Sequence, residues 1–141
     1  MFMYVFSIIL IVGSNILYNL SQKSTPQKVN PFYTLLITYL TAAILTLIAS
    51  FFYKSDKGFL ESIKDLNWTS IALGVSIVGL ELGYLMAYRA GWNISVGSLV
   101  ANIILAVILI PIGVLFFKEG FGLNKILGAA LCIFGLVLIN K

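Results

Sequence analysis

The sequence is 141 residues long, 60% hydrophobic and 10% charged, with a formal net charge of +4. Soluble domains are typically about 45–50% apolar and about 25% charged, so this composition excludes an ordinary soluble globular protein and predicts an all-α integral membrane protein. Because the positive charge is spread thinly, we expect no nucleic-acid partner; without histidine or a carboxylate cluster, we expect no metal and no other cofactor.

The first predicted helix covers residues 3–20. It lacks the positively charged start and the small-residue cleavage site of a signal peptide, so we expect it to be retained. Asn15 and Asn19 are four residues apart and therefore share one helix face. This polar face either hydrogen-bonds to a neighbouring helix or forms one wall of a polar cavity.

A polar loop with two prolines is predicted for residues 21–31, followed by a second helix at 32–53. The long connection at 54–67 carries six of the fourteen charged residues. Apolar residues at helical spacing between these charges allow a short amphipathic turn on the bilayer surface. A solvated loop is the favoured interpretation of this connection.

The third predicted helix, at 68–89, carries one acid, Glu81, close to the middle of its apolar stretch. A charge at that depth costs from about 2.5 to more than 10 kcal/mol, so the side chain must be protonated, paired or turned towards water. Tyr84 and Tyr88 follow on the same side of the helix. We interpret Glu81 as a functional acid; the alternative is a structural hydrogen bond to a tyrosine or asparagine on another helix.

After a short turn with an aromatic anchor at Trp92, a fourth helix is predicted at 94–117 and a fifth at 123–140. Ser95, Ser98 and Asn102 are spaced at i, i+3 and i+7, so they line one face near the start of the fourth helix. Pro111 lies inside that helix and predicts a bend, which we interpret as a packing bend rather than a moving hinge. Gly128 and Gly135 indicate close packing of the fifth helix.

Five spanning helices would divide the basic side chains almost evenly between the two faces of the membrane. One face receives Lys23, Lys28, Arg89 and Lys141, and the other receives Lys54, Lys57, Lys64, Lys118 and Lys125. Because loop Lys and Arg asymmetry sets orientation, this near balance permits both orientations. Two oppositely inserted copies would form an antiparallel homodimer of ten helices; the alternative is a parallel assembly.

The last third of the chain resembles the drug/metabolite transporter superfamily, and in particular the EamA-type five-helix repeat. The resemblance is carried by Pro111, Glu119, Gly128 and Gly135, and near the N-terminus by Gly13-Ser14-Asn15, Gln22-Lys23 and Pro26. It implies one five-helix transmembrane domain over residues 1–141, equivalent to half of the larger ten-helix members. Small multidrug resistance proteins of this superfamily use a membrane glutamate in their first helix, so their role transfers to Glu81 only by analogy.

These observations favour a secondary transporter of a small organic solute, a metabolite or an organic cation, coupled to protons through Glu81. We expect a multi-pass protein of the bacterial or archaeal plasma membrane. Its predicted solute and proton site consists of Glu81, Tyr84, Tyr88, Trp92, Asn15, Asn19, Ser98 and Asn102. The alternatives are an uncoupled facilitator for an uncharged or zwitterionic metabolite and a non-transporting membrane subunit. We do not expect an enzyme, because the sequence carries no nucleophile–base pair or phosphate-binding loop.

Overall fold

The computed structural model describes residues 2–53, 58–120 and 122–139, and this part of the chain is helical without any strand. Its helices are α1 (Phe2–Ser24), α2 (Pro31–Phe52), α3 (Phe59–Lys64), α4 (Trp68–Arg89), α5 (Ile94–Phe117) and α6 (Leu123–Ile139). Four of these helices, α1, α2, α4 and α5, are long and apolar enough to cross a membrane, whereas the apolar stretch of α6 is shorter. The predicted all-helical class is confirmed for the described residues; a fifth spanning helix stays a prediction.

The first helix is longer than predicted. We expected it to end at residue 20, where the sequence becomes polar, but α1 continues to Ser24. It ends just before Pro26, since a proline disfavours helical geometry in the residue that precedes it. The Thr25 hydroxyl donates to the Ser21 carbonyl at 3.0 Å and satisfies one of the last acceptors of the helix. The proline, rather than the change in polarity, therefore sets this helix end.

The start of α2 combines two helix-starting signals. Asn30 is the N-cap, and its side-chain oxygen accepts a hydrogen bond of 2.9 Å from the backbone N–H of Phe32. Pro31 occupies the first helical position, where its missing N–H has no intrahelical partner to lose. The turn between α1 and α2 is consequently short and closely defined.

The connection before α4 was expected to be a solvated loop, and for Phe59–Lys64 this prediction was wrong: these six residues form α3. Glu61 lies in the first turn and Lys64 in the last turn, which places each charge at the helix end whose partial charge it complements. The rest of the predicted loop includes residues 54–57, which lie outside the described part of the chain.

Pro111 lies inside α5, and the helix continues past it to Phe117. At its end, Lys118 adopts a left-handed backbone conformation with φ 54°, and the backbone N–H groups of Lys118 and Glu119 both donate to the Gly113 carbonyl. The Glu119 carboxylate folds back over Gly113; a Cβ atom on Gly113 would lie 3.0 Å from it. The glycine therefore leaves the space that this acid occupies.

The chain divides into two compact units: Met1–Leu20 with Ala90–Lys141, and Ser21–Arg89. In the first unit, α5 packs against α6; in the second, α2 packs against α4. Three hydrophobic side chains are buried among the described residues, Leu35, Leu85 and Tyr88, and all three belong to the α2–α4 unit. Most other large apolar side chains are exposed, as expected where lipid or a partner replaces a protein core. A single domain over residues 1–141 stays a prediction.

Candidate functional site

A groove of about 440 Å³ runs between α1 and α5 within the first unit. Its apolar walls are aliphatic side chains from both helices. Its polar lining consists of Asn15, Asn19, Ser95, Ser98 and Asn102. This groove brings together four of the residues that the sequence analysis assigned to a solute site, and it adds Ser95.

Four polar residues of the groove form two hydrogen-bonded pairs, each within one helix. On α1, the Asn19 side-chain amide donates to the Asn15 carbonyl at 2.8 Å and to the Asn15 side-chain oxygen. On α5, the Asn102 amide donates to the Ser98 carbonyl at 2.8 Å and to the Ser98 hydroxyl at 3.3 Å. The spacing of four residues makes both pairs possible, since such residues face each other on a helix.

These bonds leave hydrogen-bonding capacity in the groove. The Asn15 amide has two N–H donors, and the amide oxygen of Asn102 can accept two bonds; neither is used in a bond within the described part of the chain. A donor on one wall and an acceptor on the other suit an uncharged or zwitterionic polar solute. The groove lining includes no charged side chain.

The second unit holds the buried acid. Glu81 is only 8% exposed, and Leu85, one turn further along α4, is fully enclosed. Within the described residues, no cation pairs with the Glu81 carboxylate and no donor hydrogen-bonds to it. Tyr39, on the neighbouring helix α2, lies within electrostatic range of this acid. A carboxylate at this depth without a counter-ion is costly, so its presence calls for a functional reason.

Aromatic rings continue from Glu81 towards the C-terminal end of α4. The ring centroids of Tyr84 and Tyr88 lie 5.9 Å apart, and the Lys23 ammonium lies 5.6 Å from the Tyr88 centroid. A cation at that distance over an aromatic face is attracted by the ring. The Tyr88 face thus binds a cation of the chain itself, which supports an aromatic surface suited to positive charge.

Arg89 ties the end of α4 to the turn before α2. Its Nη2 group donates to the backbone carbonyls of Val29 at 2.8 Å and Pro26 at 3.1 Å. A basic residue in the last turn also complements the helix dipole. This contact sets the register between the C-terminal end of α4 and the N-terminal end of α2.

The structure places the eight predicted site residues in three locations. Asn15, Asn19, Ser98 and Asn102 line the α1–α5 groove, and Glu81, Tyr84 and Tyr88 lie along α4. Trp92 is in the turn before α5, is 44% exposed and does not line the groove. Sequence reasoning missed Tyr39 and the roles of Lys23 and Arg89, because these depend on which helices pack together. No metal-binding group of three His, Cys, Asp or Glu side chains occurs among the residues described.

Comparison with known proteins adds one decisive match. The EamA-like transporter family model matches residues 2–141. This chain belongs to the EamA-like transporter family. Neither the curated proteins nor the solved structures gave a match. The predicted membership of the drug/metabolite transporter superfamily is thereby confirmed. The protein is a multi-pass membrane transporter of this kind, and its family transports small solutes across the bilayer.

Proposed function

We propose that this EamA-like protein is a secondary transporter that exchanges protons for a small organic cation by alternating access, with Glu81 as the shared binding group. The observation that carries the proposal is the burial of Glu81 in a membrane-length helix without an ion-pair partner among the described residues. A carboxylate can bind either a proton or a cation, but not both at once, and this competition couples the two. Tyr84, three residues after Glu81, supplies an aromatic face for the cation, whereas one face of the buried Tyr88 is already occupied by the Lys23 ammonium.

The proposed working unit is an antiparallel homodimer of ten helices in the bacterial or archaeal plasma membrane, each copy contributing five spanning helices and one Glu81. The near balance of Lys and Arg between the two sets of loops supports it. We expect a variant biased to one orientation by added lysines, Ser24→Lys with Gln27→Lys, to be inactive alone. Co-expression with an oppositely biased variant, Ser55→Lys with Ser62→Lys, should restore transport; full activity of either variant by itself would contradict the antiparallel dimer.

The role of Glu81 is tested by transport of organic cations into proteoliposomes with and without a pH gradient. We expect Glu81→Gln to abolish gradient-driven transport, because the amide cannot exchange a proton for a cation. Glu61→Gln is the matched control, since Glu61 is an exposed acid on α3, away from the four membrane-length helices. Gradient-driven transport that persists in folded Glu81→Gln protein would overturn the proposal.

The α1–α5 groove favours a second candidate, an uncoupled facilitator for an uncharged or zwitterionic metabolite. Its lining combines uncharged amides and hydroxyls with aliphatic walls and includes no carboxylate. This function predicts solute flux that needs no pH gradient, depends on Asn15 and Asn102, and is unaffected by Glu81→Gln. The same proteoliposome experiment therefore separates the two candidates.

A further inference from the structure

Helices α2 and α4 pack against each other, and their contact can be divided into layers of residues. The count starts at the end where Arg89 hydrogen-bonds to the turn before α2; these hydrogen bonds are called the Arg89 tie. Arg89 is the last residue of α4 and Pro31 the first of α2, and Arg89 bonds to the carbonyl of Val29 just before it. The two helices therefore run antiparallel from this tie. Four residues inward on each helix lie Leu35 and Leu85, with exposures of 4% and 0%. They form an apolar first layer, at matching depth on the two helices.

The next layer inward is polar. Tyr39 lies eight residues after Pro31, and Glu81 lies eight residues before Arg89. At a rise of about 1.5 Å per residue, both lie about 12 Å from the tie. Tyr39 and Glu81 also lie one turn beyond the buried leucine of their own helix, so each shares the helix face that packs in this contact. We call this contact, formed by Leu35, Tyr39, Glu81 and Leu85, the α2–α4 seam. It places a phenol and a carboxylate in the same layer, next to a buried apolar layer.

Neither group of this layer is satisfied within the described part of the chain. The Tyr39 hydroxyl is completely enclosed and has no hydrogen-bond partner, and the Glu81 carboxylate has neither a donor nor a counter-ion. Enclosed polar groups are almost always hydrogen-bonded, and exceptions require an explanation. The Tyr39 hydroxyl is such an exception, and a ligand that donates one hydrogen bond to it and another to the buried Glu81 carboxylate would satisfy both groups.

We propose that Tyr39 and Glu81 together form the cation subsite of this transporter, and that it selects an ammonium with at least two N–H groups. The inference rests on the proposed function and deepens it by naming the substrate class. An ionised carboxylate only accepts hydrogen bonds, and a phenol oxygen accepts one readily. A primary or secondary ammonium donates one N–H to each oxygen. A tertiary ammonium serves only one of them, and a quaternary ammonium serves neither.

A single series of amines tests this selectivity. The probes are phenethylamine and its N-methyl, N,N-dimethyl and N,N,N-trimethyl derivatives, which carry three, two, one and no N–H groups when charged. Binding to the purified full-length protein is measured by isothermal titration calorimetry. We expect affinity to fall by about tenfold between the secondary and tertiary amines, since the second hydrogen bond is then lost. Added methyl groups alone would change the affinity gradually.

The fall in affinity between the secondary and tertiary amines is called the affinity step below. Substitution of Tyr39 should reduce this step. In Tyr39→Phe the phenol acceptor is lost, so the affinity of the primary and secondary amines should fall by about tenfold, while that of the tertiary amine stays nearly unchanged. Tyr33→Phe is the matched control, because Tyr33 lies on the same helix and is 68% exposed; it should retain the wild-type step. Should Tyr39→Phe not purify as a folded protein, Tyr39→Leu removes the same phenol oxygen and should reduce the fall between the secondary and tertiary amines in the same way.

Each result distinguishes the inference from the function on which it rests. Two results overturn the two-acceptor subsite while leaving proton–cation exchange through Glu81 intact. One is a large fall in wild-type affinity only between the tertiary and quaternary amines; the other is an unchanged affinity step in Tyr39→Phe. Failure of every amine to bind also overturns it, and the proteoliposome assay with other cations then judges the function separately. Binding of the whole series unaffected by Glu81→Gln would overturn both.

Discussion

The two polar regions of this protein satisfy their hydrogen bonds in opposite ways. In the α1–α5 groove, Asn19 and Asn102 donate to residues one turn earlier on their own helices. In the α2–α4 seam, Glu81 and Tyr39 are enclosed without such bonds among the described residues. A polar group satisfied by its own helix is stable with or without a ligand. An unsatisfied one destabilises the empty protein and favours binding, because only a ligand or a proton removes the cost.

The largest expected effect comes from removing the unsatisfied acid. We expect Glu81→Leu to raise the free energy of unfolding by about 1–3 kcal/mol, because a buried carboxylate without a partner is replaced by an apolar side chain of similar volume. The same change should reduce cation transport by about 100-fold or more. Melting temperature in detergent and uptake into proteoliposomes measure the two effects.

Glu61→Leu is the control for this substitution, since that acid is exposed and should leave both quantities nearly unchanged. A melting temperature lowered by Glu81→Leu would mean that the carboxylate already has a favourable partner. The contrast between seam and groove would then be wrong.

Loss of the Arg89 hydrogen bonds at the end of the α2–α4 seam should have the next largest effect on stability. We expect Arg89→Gln to lower the free energy of unfolding by about 1.5–3 kcal/mol, since a charged group that donates to two carbonyls is lost. Arg89→Lys should recover only part of this, because one ammonium does not reproduce the planar guanidinium fork. Lys28→Gln removes a positive charge from the same turn and should have little effect on the melting temperature.

The tie also sets the depth at which Tyr39 and Glu81 meet, so Arg89→Gln should weaken amine binding as well as stability. A variant that melts earlier but keeps the wild-type step between secondary and tertiary amines would show that the α2–α4 packing alone sets this register. The seam would then be aligned by Leu35 and Leu85 rather than by the arginine.

The sequence was sufficient for the helical class, the transporter family and the position of Glu81 within its helix, because these follow from composition, motifs and the bounds of one apolar helix. It also paired Asn15 with Asn19 and Ser98 with Asn102, since residues four apart always share a face. It did not identify Tyr39 as a partner of Glu81. That partnership depends on the packing of α2 against α4 and on a register set by Arg89, neither of which is local in sequence.

The two helix predictions that failed have local causes. The predicted first helix ends where the residues become polar. Serine and glutamine are tolerated in a helix, however, so α1 continues until the chain turns near Pro26. In the connection before α4, the many charges favour a loop, whereas the helical spacing of the apolar residues favours the short helix that forms. The charges of Glu61 and Lys64 instead complement the ends of a short helix.

The smallest expected effect lies in the groove. Asn102→Ala removes amide bonds made only within α5, so we expect the free energy of unfolding to fall by about 0.5–1.5 kcal/mol, the range for a typical intramolecular hydrogen bond. Ser76→Ala is the matched control, since its hydroxyl donates to the Ala72 carbonyl of its own helix. If Glu81 is the coupling site, Asn102→Ala should leave the dependence of cation transport on a pH gradient unchanged. Loss of that dependence in Asn102→Ala, with Glu81 still present, would transfer the coupling role from the seam to the groove and reverse the comparison between the two regions.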